Sequence, residues 1–296
     1  MGRVFFTWYI NTACNYRCSY CKPEQLAGRQ APAERWVEVW ADIHRRYGSC
    51  HISFSGGEPF VYPGFIEILA GVTRHHTVEV ITNLSCDVRR LVEKVNLKRL
   101  RLGASFHPEC VDIEEFLGRV KELHKYDFEK WVTFVAYPPH LDRILHFQKR
   151  VQDAGVRFSI LPFNGAWDGR TYPQGYTEAE KKVILQACGD DEPNLRSFKW
   201  GNGGKAEDGP AAAKSSTTKG RPCLMGKSYA RIYPDGSAKR CCAPGAAELG
   251  NLIEGTFRLQ EEPAPCASER CPCWKCMIPG EEERWERFWI TPYRKT

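Results

Sequence analysis

Three cysteines, Cys14, Cys18 and Cys21, fall within "TACNYRCSYC" at the spacing C-x3-C-x2-C. Three thiols this close can hold a soft metal and leave one coordination position for another ligand. Zinc sites with three protein ligands generally mix in histidine or carboxylate, and no histidine lies between residues 12 and 43. Thiolates suit an iron–sulfur cubane equally well, three irons taking cysteine and the fourth staying open. Seven of the fourteen cysteines recur far downstream: Cys223, Cys241, Cys242, Cys266, Cys271, Cys273 and Cys276. With no export signal and a chain of 296 residues, such clusters point to metal rather than to disulfides.

The elements that must position these residues alternate. Strand-like runs at Val4–Ile10, His51–Ser55, Val78–Thr82, Leu100–Phe106, Trp131–Tyr137 and Arg157–Leu161 are separated by helical patterns at Ala33–Arg46, Pro63–Arg74, Val88–Val95, Ile113–Tyr126 and Leu141–Ala154. Such alternation predicts βαβ units, a parallel sheet and a barrel-like curl. The loops after the strands would then share one rim. That rim would carry the cysteine triad after the first strand and Gly56-Gly57-Glu58-Pro59 after the second. Asn83 would follow the third strand, and His107 and Glu109 the fourth. The loop "PFNGAWDGRTYP" after the sixth adds Trp167, Asp168 and Arg170. Glycines allow close backbone approach, and Glu58 can accept from an ammonium group, although a plain Gly-Gly turn is the simpler alternative.

The boundaries read as a barrel over 1–188, a linker or lid over 189–220, a cysteine-rich unit over 221–276 and a helical tail over 277–296, where Trp285, Phe288 and Trp289 recur at helical spacing. A net charge of +6 with scattered basic residues argues against a nucleic-acid partner. No apolar run reaches the ~20 residues of a membrane span, and the N-terminus is no signal peptide. The expectation is a cytoplasmic protein.

With Tyr20 before the last cysteine and "SFSGGEPF" after the second strand, the triad resembles the radical S-adenosylmethionine superfamily. That resemblance implies a partial (β/α)6 TIM-like barrel and a [4Fe–4S] cluster on Cys14, Cys18 and Cys21. S-adenosylmethionine would sit on the open iron and yield a 5′-deoxyadenosyl radical on one-electron reduction by a donor such as flavodoxin or ferredoxin. It also implies cofactor contacts from Tyr20, Gly56, Gly57, Glu58, Pro59, Asn83 and Ser105. Cys223-x17-Cys241 around a Pro234-Asp235-Gly236 hairpin, followed by Cys273-x2-Cys276, resembles the auxiliary-cluster module called twitch, a shortened relative of SPASM. The implied ligands of one auxiliary [4Fe–4S] cluster are Cys223, Cys241, Cys273 and Cys276, with Cys266 or Cys271 able to replace one. A closed zinc ribbon on the same sulfurs is the alternative.

Two outcomes follow hydrogen abstraction: dehydrogenation, if the auxiliary cluster takes an electron, or epimerisation, if a thiol such as Cys242 returns hydrogen. The first strand begins by about residue 3, which suggests no recognition domain for a peptide. The expected substrate is therefore a small polar molecule, carbohydrate or aminocyclitol-like, contacted by His107, Glu109, Trp167, Asp168 and Arg170. The alternative is a maturase acting on a ribosomally made peptide or protein side chain.

Overall fold

The computed structural model describes residues 3–21, 30–189, 217–269 and 271. Its first half follows the expected alternation: β1 (Phe5–Asn11), α1 (Ala33–Tyr47), β2 (His51–Gly56), α2 (Phe65–Val72), β3 (Thr77–Thr82), α3 (Val88–Lys94), β4 (Leu100–Phe106), α4 (Ile113–His124), β5 (Glu129–Ala136), α5 (Ile144–Asp153) and β6 (Phe158–Pro162). A small hairpin, β7 (Gly165–Trp167) and β8 (Arg170–Tyr172), and then α6 (Glu178–Cys188) follow. Strands β1 to β6 pair in parallel and in sequence order. This is the α/β partial-barrel arrangement.

Local chemistry sets the helix starts. Asp87 and Asp112 accept from main-chain N–H groups of the first turns of α3 and α4, and Thr177 with Glu180 forms a reciprocal capping box at α6. Residues 138–143 form a 3-10 segment ahead of α5, with the two prolines in its first turn, where a missing N–H costs nothing. On β1, Phe6, Trp8 and Ile10 face the helices, and Trp8 packs on Trp36, Trp40 and Phe54 at ring separations of 4.4, 5.3 and 4.9 Å. Aromatic burial of this kind anchors the first βαβ unit and fixes where β1 ends.

The cysteine-rich segment extends the same sheet. It contributes β9 (Pro222–Cys223), β10 (Tyr229–Ile232), β11 (Ser237–Lys239), β12 (Glu248–Asn251) and β13 (Ala264–Pro265). β10 runs parallel to β1, with Trp8 opposite Ile232, and β11 and β12 add on antiparallel, giving nine strands in the order β12-β11-β10-β1-β2-β3-β4-β5-β6. The expected hairpin at Pro234–Gly236 joins β10 to β11. No described helix is long and apolar enough to cross a membrane. The expected tail helix, most of the 189–220 segment, Cys273 and Cys276 lie outside the described residues.

Candidate active site at the strand ends

The pairing of β1 with β2 shifts register between Tyr9 and Asn11, so the chain bulges where it leaves the sheet toward Cys14. The loop after β2 lies directly on this exit. Gly57 N donates to Asn11 O at 3.1 Å, Glu58 N donates to Ala13 O at 2.8 Å, and Asn11 Nδ2 donates to Glu58 O at 3.0 Å. A side chain on Gly56 would place its Cβ 2.1 Å from Asn11 O, and one on Gly57 2.0 Å from Ala13 O. Gly56 also sits at φ +117°. The two glycines are therefore required by the packing of the cysteine loop itself.

Glu58 is 2% exposed and caps the 3-10 turn headed by Pro59. Its Oε1 accepts from Phe60 N at 3.0 Å and Thr82 Oγ1 at 2.8 Å, and its Oε2 accepts from Asn83 N at 2.7 Å. Burial raises its pKa against the pull of those three donors. The carboxylate thus pins β3's end to the β2 loop, and its oxygens are engaged by the chain's own donors. Asn83 in turn donates from Nδ2 to Asn15 Oδ1 at 2.9 Å, lies 4.0 Å from Cys14 Sγ, and accepts from Ser85 N at Oδ1.

Cys14 Sγ also accepts from Tyr16 N at 3.3 Å, and Arg17 donates to the carbonyls of Cys14 and Tyr16. The loop after β4 closes the other side. Ser19 donates through N and Oγ to the Glu109 carboxylate, each at 2.6 Å, and His140 Nε2 lies 3.2 Å from the same group. Burial raises the Glu109 pKa, but the Ser19 and His140 contacts outweigh it and hold the carboxyl below its usual range. The Tyr20 hydroxyl is 2.7 Å from His107 Nδ1. Burial pushes Tyr20 up and His107 down to about 4, so a neutral imidazole is paired with a protonated phenol. Ser105 is half-buried on β4 opposite Thr133 of β5.

The structure therefore gathers Tyr20, His107 and Glu109 around the cysteine loop. It also brings in residues the sequence reading passed over. Cys110 Sγ lies 3.7 Å from Cys18 Sγ, and burial together with Cys110 pushes Cys18 up to about 12. Cys110 follows Glu109 directly, so the only available signal was its place after a predicted strand. Tyr137 packs its ring at a tilt 5.0 Å from Tyr20 and edge-on 5.3 Å from Trp167, which is 42% exposed. An aromatic shelf thus runs outward from the cysteine loop. Asp168 and Arg170 lie in the same hairpin as Trp167. Asp168 and Gly169 both take positive φ in the β7–β8 turn. Arg170 donates to Glu180 at 3.2 Å and to Gly175 O at 3.3 Å, fastening the hairpin to α6.

Across β1, Cys223, Cys241, Cys242, Cys266 and Cys271 line one cavity of about 130 Å³. β9 and β13 pair with Cys223 opposite Ala264, which brings Cys266 beside Cys223. Cys266 and Cys271 thus join Cys223 and Cys241 here, whereas Cys273 and Cys276 lie outside the described residues. Among the described residues no three metal-binding side chains converge at the spacing of a single ion. A cubane takes its cysteines on separate irons rather than around one ion, and thiolate sulfur is the donor such a cluster uses.

Residues 8–147 match the family model of the Radical SAM superfamily. A protein of Methanocella arvoryzae described as a probable GTP 3',8-cyclase is 37% identical over 76 residues, 25% of this chain and 24% of that protein. The PqqA peptide cyclase of Rhodopseudomonas palustris is 28% identical over 152 residues, 46% of this chain and 37% of its own. The matches thus span well under half the length of these curated relatives. In fold, the chain is similar to Streptococcus suis SuiB bound to precursor peptide SuiA, with a TM-score of 0.58 at 14% identity, covering 87% of this chain and 65% of SuiB.

Proposed function

We propose, for a chain whose residues 8–147 form a radical SAM domain, that this radical SAM enzyme modifies a peptide. When bound, the [4Fe–4S] cluster and S-adenosylmethionine supply a 5′-deoxyadenosyl radical that takes hydrogen from an unactivated C–H bond. Cys14, Cys18 and Cys21 are the assigned ligands of that cluster. Gly56–Pro59, Asn83, Ser105 and Tyr20 are assigned to hold the adenosylated methionine. Within this assignment Glu58 acts indirectly, keeping the ends of β2 and β3 together through its three donors. The Glu109 carboxylate holds the cysteine loop through Ser19, and His107 fixes the Tyr20 ring.

The observation that carries the peptide reading is the aromatic shelf from Tyr20 through Tyr137 to the exposed Trp167. It offers apolar contact to a side chain and its backbone. Arg170, one of the residues expected to serve a sugar, is paired with Glu180 and the Gly175 carbonyl. Similarity to a PqqA peptide cyclase and to SuiB, which has been seen with a precursor peptide, supports the same choice. Peptide modification therefore replaces the small polar substrate expected from the sequence. We assign the second cysteine cavity to an auxiliary cluster held by Cys223 and Cys241, with Cys266 and Cys271 positioned on its wall. Cys242 lines the same cavity and could donate hydrogen there.

The test is to reconstitute the protein without oxygen, supply S-adenosylmethionine and a one-electron donor such as flavodoxin, and add either short peptides encoded beside its gene or a panel of sugars and aminocyclitols. 5′-Deoxyadenosine formation should rise with a peptide, and that peptide should change mass. Stimulation by the sugar panel alone would overturn the peptide reading.

A further inference from the structure

Arg240 is 8% exposed, yet its guanidinium donates only to main-chain carbonyls. Nε reaches Met225 O at 2.9 Å and Nη1 reaches Pro265 O at 3.0 Å; Nη2 reaches Ala264 O at 3.0 Å and Cys223 O at 3.4 Å. Among the described residues no carboxylate joins them. Burying a full charge against dipoles alone is costly, and buried arginines ordinarily have an anionic partner. Arg240 shares the wall of one cavity with Cys223, Cys241, Cys242, Cys266 and Cys271. Thiols that bind metal lose their protons, and a cubane with thiolate at each corner carries net negative charge.

The placement strengthens the case. Arg240 directly precedes Cys241, its Nη2 holds the carbonyl of Cys223, and two further bonds hold the two residues just before Cys266. One cation thus ties together three segments that carry cysteines. We propose that Arg240 is the built-in counter-ion of the thiolate-held cluster in this cavity and sets how readily that cluster takes up an electron. This rests on the reading that the cavity holds such a cluster. A fixed positive charge favours the reduced, more negative state and so raises the reduction potential.

The test uses the full chain with Cys14, Cys18 and Cys21 changed to alanine, so that only the second cluster contributes. In that background Arg240→Met and Arg240→Lys are compared by iron content and by a redox titration followed by electron paramagnetic resonance. The methionine variant should keep its iron and titrate at a more negative potential. The lysine variant, which keeps the charge without the forked geometry, should titrate close to the parent. An unchanged potential in Arg240→Met overturns the proposal. So does failure of both variants to take up iron, which would make the carbonyl bonds of the fork, and not its charge, the essential feature. If the background chain itself holds no iron, the cluster reading falls and the proposal with it, so the iron count tells the two failures apart.

Discussion

Cys14 lies one residue past a close contact between two loops, Gly57 against Ala13, that only side-chain-free residues allow. Cys223, Cys241 and Cys266 sit in or just beyond β9, β11 and β13, and a single buried arginine draws them together. The first site is an outgrowth of a parallel sheet: strand order, bulge and loop packing deliver the cysteines to one end. The second depends on contacts between segments as much as forty residues apart, and no periodic pattern announces them. A site of the first kind is vulnerable through its backbone, one of the second through a side chain.

Gly57→Ala should produce the larger break. The added Cβ would stand 2.0 Å from Ala13 O and 2.6 Å from Ala13 C, atoms of a main chain that cannot swing aside. We expect a destabilisation of about 3 kcal/mol, the upper end of overpacking costs. Of about eight irons in a chain with two cubanes, about four should be lost, all from the first site. Iron analysis together with a urea midpoint checks both. A variant retaining its full iron would show that the loop after β2 can move without disturbing the cysteines.

This difference also explains what could be read from the chain. Strands β1 to β6 and the helices between them were visible because buried strands and amphipathic helices have distinct periods. The grouping of Cys14, Gly56, Asn83, His107 and Glu109 on one rim followed from that alternation alone. The use of Glu58 was not legible, since its partners Thr82 and Asn83 belong to another strand. Trp167 could be placed on the rim, but its neighbours Asp168 and Arg170 were absorbed by a turn and by Glu180, contacts that a sequence does not print. Joining β10 to β1 was equally hidden, because a short strand of four residues gives no clue to its partner.

Acid should act on the barrel through its histidines, since all eight lie at or before residue 146. His76 is fully buried, accepts from Cys50 N at Nδ1 and lies 2.9 Å from Trp40 O through Nε2; burial pushes it down to about 4. A histidine whose folded pKa is below its unfolded one binds fewer protons in the folded state. Its contribution is therefore complete above the unfolded value of about 6.5 and is lost as the pH falls toward 4. The loss is on the order of 3 kcal/mol for a shift of this size. Urea midpoints at pH 7.5, 5.5 and 4.5 should fall steeply in the parent and less so in His76→Asn, which keeps an acceptor for Cys50 N. Parallel pH profiles for the two proteins would count against this assignment.

Gly118 offers the smallest effect and the cleanest control on the argument from glycine. It lies on the exposed side of α4, and an added Cβ would meet nothing within 4 Å. In a helix interior glycine costs roughly 0.5–1 kcal/mol relative to alanine, through the backbone freedom it gives up on folding. Gly118→Ala should therefore raise stability by about that amount, seen as a higher urea midpoint, and leave the iron content unchanged. The same substitution then has opposite signs at residues 57 and 118, decided by whether a carbonyl oxygen or solvent faces the new methyl group. If Gly118→Ala also lost iron, glycine replacement would be damaging the domain at large, and the lost iron of Gly57→Ala could no longer be credited to the close contact at Ala13.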